Sequence, residues 1–320
     1  MSRYVVCGAT GFIGRNVAER WGALFPGQVL GVYLFEDEPP SLPGVDWIKA
    51  NLCYPDQVAG LFEAGDVIFQ AAAATSGVKN TFERPYTHVT DTVVISSLIL
   101  RAAHERGAAQ LIYPGCAAHY SGCQGRPMTE ADDIVAPLAE EPFYPGAGWT
   151  RVYIEKMCEF YAGLGRTKHL VMRTTNVYGP HDKYGPDDSH MYAANIAKVI
   201  KAPEEGTVTV WGPGTEGRDL IYIDDLLDFV TRALEQKNPF EIVNVGSGQL
   251  WTVNAVVETI IKASGKKLLV EHDLAKPHIP SNIWVDTAKA QKLFGWKPKT
   301  SLAEGTAKTI KWYKANLENL

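Results

Sequence analysis

The sequence predicts an α/β fold: a doubly wound parallel sheet followed by a smaller, interleaved α/β domain for substrate. Three observations predict it. The chain opens on Arg3-Tyr-Val-Val-Cys-Gly8-Ala-Thr-Gly11-Phe-Ile-Gly14, which reads as a buried strand, a glycine turn and the start of a helix, in the order a dinucleotide pyrophosphate site requires. β-prone apolar runs then alternate with segments of helical period up to about residue 175. Beyond that point the alternation weakens. The expected domains are therefore 1–175, binding a dinucleotide, and 176–320, mainly binding substrate, with some later segments returning to the first domain.

In chain order, Gly8, Thr10, Gly11, Phe12, Ile13 and Gly14 form the expected cofactor turn. The first glycine allows the turn, the next admits phosphate to the helix N-terminus, and the third lets helix pack on strand. Apolar residues at helical spacing predict a helix over 12–24, and 28–35 reads as the second strand, completing a βαβ unit. An acid at the end of that strand commonly binds the adenosine ribose, but Tyr33 stands there, with Glu36 and Asp37 slightly beyond. Arg15 is either a ligand for a 2′-phosphate or a solvated helix residue, so NAD and NADP both remain open. Residues 45–52 read as a third strand, with Asn51 and Leu52 at its end where an adenine is edged. A short helix over 55–63 and a strand over 66–70 follow. The strand runs into Ala71, Ala72 and Ala73, small enough to let a cofactor lie on the backbone. A helix over 90–106 and a strand over 109–114 lead to a long loop, 117–148, rich in glycine, proline and acids. Such loops at the carboxyl edge of a parallel sheet carry function. Next come a helix over 149–163, a strand over 169–178, a polar loop to His190, and a helix over 191–200. A strand over 208–211, a helix over 224–236, a strand over 242–245 and a helix over 252–264 complete the pattern.

Composition narrows the function. With 320 residues, 46% hydrophobic and 21% charged, the chain can bury one large or two modest cores. A net charge of −5 argues against a nucleic-acid partner held by phosphate neutralisation. No apolar stretch reaches the roughly 18 residues of a spanning helix, and Met1-Ser-Arg leads directly into a strand instead of a signal peptide, so the expected location is cytoplasmic, without a membrane. The five cysteines are scattered and lack metal-ligand spacing, so neither disulfides nor a metal site is expected.

Five motifs, in order, carry a resemblance to a known family. They are Gly8-x-x-Gly11-x-x-Gly14, Arg173-x-x-Asn176-x-Tyr-Gly-Pro180, Trp211-Gly-x-Gly-x-x-x-Arg218-Asp-x-x-Tyr222-x-Asp-Asp225, Asn244-Val-Gly-Ser-Gly248 and Gly295-Trp-Lys-Pro298. Together they resemble the extended short-chain dehydrogenase/reductases that modify nucleotide sugars, the NAD(P)-dependent epimerase/dehydratases, over nearly the whole chain. The resemblance implies a Rossmann domain, a nucleoside-diphosphate hexose or heptose as substrate, and a homodimer formed by the helices near 92–106 and 149–163. Tyr178-Gly-Pro-His-Asp-Lys, Ser189-His190 and Lys276-Pro277 are similar to the branch that takes GDP-sugars. Ser281 and Asn282 depart from it, where an arginine is expected.

Members of this family use a Ser/Tyr/Lys set, with Tyr exchanging a proton at the sugar C4 oxygen and Lys one helical turn later lowering its pKa. Aligned on the helix that follows, these positions hold Cys116, Ala147 and Arg151. Arg151 can donate hydrogen bonds to the cofactor ribose but cannot shuttle a proton at neutral pH. The proton carrier must therefore come from Cys116, His119, Tyr144, Tyr153 or His190. Tyr144 reaches the vacated position only if its loop folds inward, and Tyr153 with Lys156 is expected to point elsewhere. The resemblance gives His190 an acid role in epimerisation, and a thiol at Cys116 can exchange a proton at a carbon beside a ketone; a loop histidine and a core cysteine are the plain alternatives. Arg218 reads as a diphosphate ligand or a salt-bridge partner of Asp219, Lys198 as its assistant, and Trp211 as a base-stacking or a packing residue. Thr75, Ser76, His119, Thr175 and Asn176 complete the expected substrate contacts. The expected activity is epimerisation, or epimerisation with reduction, through a C4-keto species. A 4,6-dehydratase or 4-reductase is the second reading, and a catalytically weakened binding relative the third.

Overall fold

The computed structural model describes residues 2–35, 38–74, 85–117, 120, 125–132, 134, 146–185, 189–276 and 278–319. In chain order these form β1 (Tyr4–Cys7), α1 (Phe12–Leu24), β2 (Val29–Tyr33), β3 (Val45–Lys49), α2 (Pro55–Ala59), β4 (Val67–Gln70), α3 (Pro85–Arg106), β5 (Gln110–Cys116), α4 (Ala147–Gly163) and β6 (Lys168–Thr174). Then follow β7 (Asn176–Tyr178), α5 (Met191–Lys201), β8 (Glu205–Trp211), β9 (Gly217–Arg218), β10 (Leu220–Tyr222), α6 (Ile223–Ala233) and β11 (Phe240–Val245). The chain ends with β12 (Trp251–Thr252), α7 (Val253–Ser264), β13 (Lys267–Asp273), α8 (Ala288–Phe294) and α9 (Leu302–Ala315), closed by a 3-10 turn.

The main sheet has seven parallel strands in the order β11-β6-β5-β4-β1-β2-β3, the doubly wound fold that the alternation predicts. Successive residues of its strands enter two separate cores. Val5, Ile68, Leu111 and Val171 pack with Ile99, Ala103 and Ile154 of α3 and α4, while Val6, Phe69, Ile112 and Leu170 pack on the face that holds Val17 and Trp21 of α1. A period of two with both faces covered explains why these strands read as continuous apolar runs and not as alternating ones.

The structure corrects several boundaries. The strand expected over 169–178 is two strands. β6 ends at Thr174, the Thr175 N–H donates to the Val245 carbonyl, and the Asn176 N–H turns to the Asp219 carbonyl, so β7 leaves the sheet and pairs with β10. The helix expected over 55–63 stops at Ala59, and that expected over 224–236 stops at Ala233. β13, which pairs in parallel with β8, and the helices α8 and α9 were not anticipated. No helix among the described residues is long and apolar enough to cross a membrane.

Two motifs turn out to brace the fold. Trp296 is buried and its indole N–H donates to the Asp225 carbonyl, while the Asp225 carboxylate accepts from the Thr300 N–H. The C-terminal segment is thereby pinned to the start of α6.

Candidate active site

The cofactor turn is built by close backbone approach. Gly8 has φ +76°, and a Cβ there would lie 2.8 Å from the Ala72 backbone. A Cβ on Gly14 would lie 2.1 Å from the Gly8 carbonyl oxygen, so α1 can meet the turn only through glycine. α1 has Gly11 as its cap, with no side-chain capping bond and no acid in its first turn. The amides of that turn, at Phe12, Ile13 and Gly14, are therefore left for an anion. Thr10 lies half-buried beside them. Ala71, Ala72 and Ala73 continue β4 along the same edge. The buried Gln70 side chain holds them, donating to the Ala72 carbonyl at 2.8 Å and accepting from its N–H at 3.3 Å. These residues fit a dinucleotide pyrophosphate, since both tight approaches would be closed by a single methyl group.

At the adenosine end, Tyr33 meets Trp47 edge to face, and the Lys49 ammonium lies 5.9 Å from its ring centre. The Asn51 side chain folds onto its own loop, accepting from the Cys53 N–H at 3.0 Å, and Leu52 is buried beneath.

The corner expected to react lies further along the same carboxyl edge. Cys116, Thr174, Thr175, Asn176, Arg218 and Asp219 line one small cavity of about 30 Å³. Four expected site residues, Cys116, Thr175, Asn176 and Arg218, are thus brought together from β5, from the break after β6 and from β9. Arg151 reaches inward from α4, and its Nη1 donates to the Tyr113 hydroxyl at 2.7 Å. Asp219 is buried and accepts from the Thr175 hydroxyl, the Ser247 N–H and hydroxyl, and the Gly248 N–H. Burial pushes its carboxyl pKa up and these donors pull against the shift. Arg218 donates instead to the carbonyls of Gly217, Ile279 and Ser281, fastening the 279–283 strand of loop to β9.

His190 precedes α5 as its cap residue and is exposed, outside the residues that line the cavity. Desolvation by the surrounding protein, helped by the Lys183 cation, holds its pKa below the usual histidine value. On the same helix, Lys198 donates to the Thr209 carbonyl at 3.0 Å and lies 5.1 Å from the Trp211 ring centre. Lys276 lies 5.5 Å from that ring, and its charge, after desolvation, lowers the Lys198 pKa. Trp211 is 44% exposed, so its indole is a surface group between two cations. Tyr153 and Lys156 face away: Tyr153 meets Ser97 of α3, and Lys156 pairs with Glu159. Thr75, Ser76, His119 and Tyr144 lie outside the described residues.

Sequence reasoning missed a buried brace under this corner. Arg173 makes a two-pronged pair with Glu155 at 3.1 and 2.8 Å and donates to the Tyr120 hydroxyl, which donates in turn to Asn244. It also missed Tyr113. The only signal for it was that a guanidinium at Arg151, placed on a helix facing the sheet, must find an acceptor.

Comparisons with known proteins agree with this architecture. The model of the NAD dependent epimerase/dehydratase family matches residues 4–246. The chain is 29% identical over 263 residues to GDP-L-fucose synthase of Escherichia coli (strain K12), covering 78% of this chain and 81% of that protein. It is 28% identical over 335 residues to UDP-glucuronate 4-epimerase of Thermodesulfobacterium geofontis, covering 99% and 98%. The structure of UDP-glucose 4-epimerase from Thermotoga maritima with UDP-glucose superposes with a TM-score of 0.84 at 22% identity, covering 98% and 99%, which speaks for the fold. With the glycine cradle and the strand order of the sheet, a match across three quarters of the chain leaves one conclusion: this protein belongs to the NAD dependent epimerase/dehydratase family.

Proposed function

We propose that the protein is a nucleotide-sugar epimerase, acting through a C4-keto species of a nucleoside-diphosphate hexose or heptose, with GDP-sugars favoured. The observation that carries this reading is the convergence of Cys116, Thr175, Asn176 and Arg218 on one cavity of the sheet edge that also bears the cofactor turn. NAD or NADP, when bound, supplies the oxidising and reducing capacity for hydride exchange at carbon. The glycine turn and Ala71–Ala73 hold it. Beside a ketone, a carbon acid needs a base on one face, an acid on the other, and a polarised oxygen. Cys116 takes the proton from one face, and protonated His190 delivers a proton to the other, its lowered pKa making the imidazolium a stronger acid than an ordinary one. Asn176 orients the carbonyl oxygen, while Thr175, whose hydroxyl donates to Asp219, holds that carboxylate beside it. Arg218 and Lys198 face the diphosphate, and the exposed Trp211 gives the base a ring to stack on.

A cytoplasmic location belongs to the same reading. A homodimer is supported by the apolar side chains that α3 and α4 leave in solvent, among them Val94, Trp149, Tyr153 and Phe160. Light scattering on the purified chain tests it, and a monomer at micromolar concentration would refute it.

A second reading, a cofactor-binding relative without turnover, is favoured by one fact: Ala147 stands where the family has its tyrosine. Incubation with GDP-, UDP- and dTDP-sugars in deuterated water separates the two. Solvent deuterium in the sugar supports the epimerase. Tight NAD(P) binding without deuterium or redox change in any sugar supports the binding relative.

A further inference from the structure

One side chain joins the cofactor helix to the segment that runs toward His190. Asn16, 7% exposed on α1, donates from Nδ2 to the Phe12 carbonyl at 2.9 Å and to the Pro180 carbonyl at 3.0 Å. Both acceptors are carbonyl oxygens, so both hydrogens of the amide are spent and its orientation is fixed. Phe12 is also one of the residues whose N–H the first turn of α1 leaves for an anion. It therefore serves the cofactor site through its N–H and, by way of Asn16, the 179–185 turn through its carbonyl.

That turn is costly to keep. His181 has φ +68°, the one positive φ outside glycine among the described residues. A side chain in that region persists only where its surroundings hold it. Asp182 follows, 4% exposed. Its Oδ1 accepts from the Lys183 N–H at 2.7 Å, whereas Oδ2 is buried with no hydrogen-bond partner among the described residues, a second cost. Two helices supply the holding contacts. From α1 come Asn16 and Glu19, whose carboxylate lies 3.8 Å from His181 Nε2. From α9 come Trp312, edge to face with His181 at 4.8 Å, and Tyr313, 4.6 Å from the Tyr184 ring. Of the two contacts from α1, the Asn16 bond is the one made to the backbone of the turn.

We propose that Asn16 is a positioning residue that makes this turn answer to the cofactor. With a pyrophosphate on its first turn, α1 holds Phe12 and Asn16 steady, and Asn16 in turn holds Pro180 and the left-handed residue beyond it. With the cofactor site empty, the same two costs are opposed by a looser partner, and the turn opens more often. The consequence for catalysis is that the segment leading to His190 and α5 is set in place once NAD(P) is bound. That consequence rests on the proton role proposed for His190.

The test is amide hydrogen–deuterium exchange, read by peptide mass spectrometry, on the full chain stripped of nucleotide and then with saturating NAD or NADP. Wild type is compared with Asn16→Ala and Asn16→Ser. The serine is the sharper variant: its hydroxyl can still return to the Phe12 carbonyl one turn back but is too short to reach Pro180. In wild type the cofactor should slow exchange about tenfold, both in a peptide covering 4–14 and in one covering 179–185. In both variants the slowing at 4–14 should remain, and that at 179–185 should drop below about twofold. A merely structural tie would speed the turn equally with and without cofactor, and that equal change would overturn the proposal. So would a wild-type turn that ignores a cofactor protecting 4–14. Should Asn16→Ala not fold, Asn16→Ser, which keeps the bond within the helix, decides in its place. Solvent deuterium in the sugar, measured separately, keeps the two ideas apart. A coupled turn without exchange into any sugar sustains the role of Asn16 and refutes the epimerase, whereas exchange into sugar with an uncoupled turn overturns the coupling alone. No protection of 4–14 by either cofactor would refute the cofactor site and this proposal together.

Discussion

The glycine turn and the reacting corner stand on the same carboxyl edge of one parallel sheet, and they are built by opposite means. At the turn, backbone meets backbone, and what matters at Gly8 and Gly14 is the side chain that is absent. At the corner, side chains from β5, α4 and β9 converge, and each is held by another side chain or a carbonyl. A site made of backbone has one solution, so its motif persists intact. A site made of side chains depends on its supports, as Arg151 of α4 depends on the Tyr113 hydroxyl of β5 for its direction.

The contrast is broken most severely beneath the corner. Glu155→Ala leaves Arg173, 4% exposed, without its carboxylate partner, and should cost about 4 kcal/mol in denaturant unfolding. A loss under 1 kcal/mol would mean that the brace is incidental. At the turn, Gly14→Ala forces a methyl onto the Gly8 carbonyl and should cost about 3 kcal/mol, with NAD(P) affinity lost in a fluorescence titration. Retained cofactor binding would show that the backbone yields there. Cys116→Ala should lower solvent-deuterium exchange into substrate about a hundredfold, or about 2.7 kcal/mol of barrier, while the melting temperature stays within a few degrees. An unchanged exchange rate would move the proton role to His190 alone.

The smallest effect comes from the opposite edge of the sheet and is read from pH. His169 is fully buried at the start of β6, with neither ring nitrogen bonded, and desolvation, aided by His104, takes its pKa down to about 4. Desolvation, with help from the Arg15 charge, takes His181 to about 4 as well. Their folded pKa values lie below the unfolded value near 6.5. Between those limits the two histidines bind more protons when unfolded, so their contribution to stability falls as pH falls from about 6.5 to about 4, against the opposite contribution of buried Asp182, whose carboxyl is pushed up to about 7. For His169 the loss between neutral pH and pH 5 should be about 2 kcal/mol. His169→Leu should remove that loss, leaving the variant more acid-resistant than wild type by about the same amount at pH 5, and an unaltered pH dependence would clear His169 of any part in acid sensitivity.

What was legible in the sequence follows the same division. Residues 4–14 could be read because strand period, glycine spacing and helix start are local and mutually required. The inner strands of the main sheet were visible because both their faces are buried. The split at Thr175 was not visible: 169–178 is one β-prone run, and only the pull of Val245 and Asp219, far along the chain, separates it. β13 was missed because its run is charged and largely exposed and it pairs only with β8. Cys116, Thr175, Asn176 and Arg218 could be named from motifs, but not the manner in which they are held. The Tyr113 to Arg151 bond spans 38 residues and joins two elements whose mutual placement no periodicity encodes.

The return of β11 to the sheet has a consequence for synthesis. β6 pairs with β11 through His169 and Phe240, so the edge of β6 has no strand partner until about 70 more residues have been made. At roughly 5–20 residues per second, that is an interval on the order of 4–14 s. During it, the nascent chain presents an open, apolar strand edge of the kind that recruits other strands. A ribosome that slows over the stretch between Thr174 and Phe240 would lengthen that exposure, and the yield of native protein should track codon speed there more closely than anywhere else in the message.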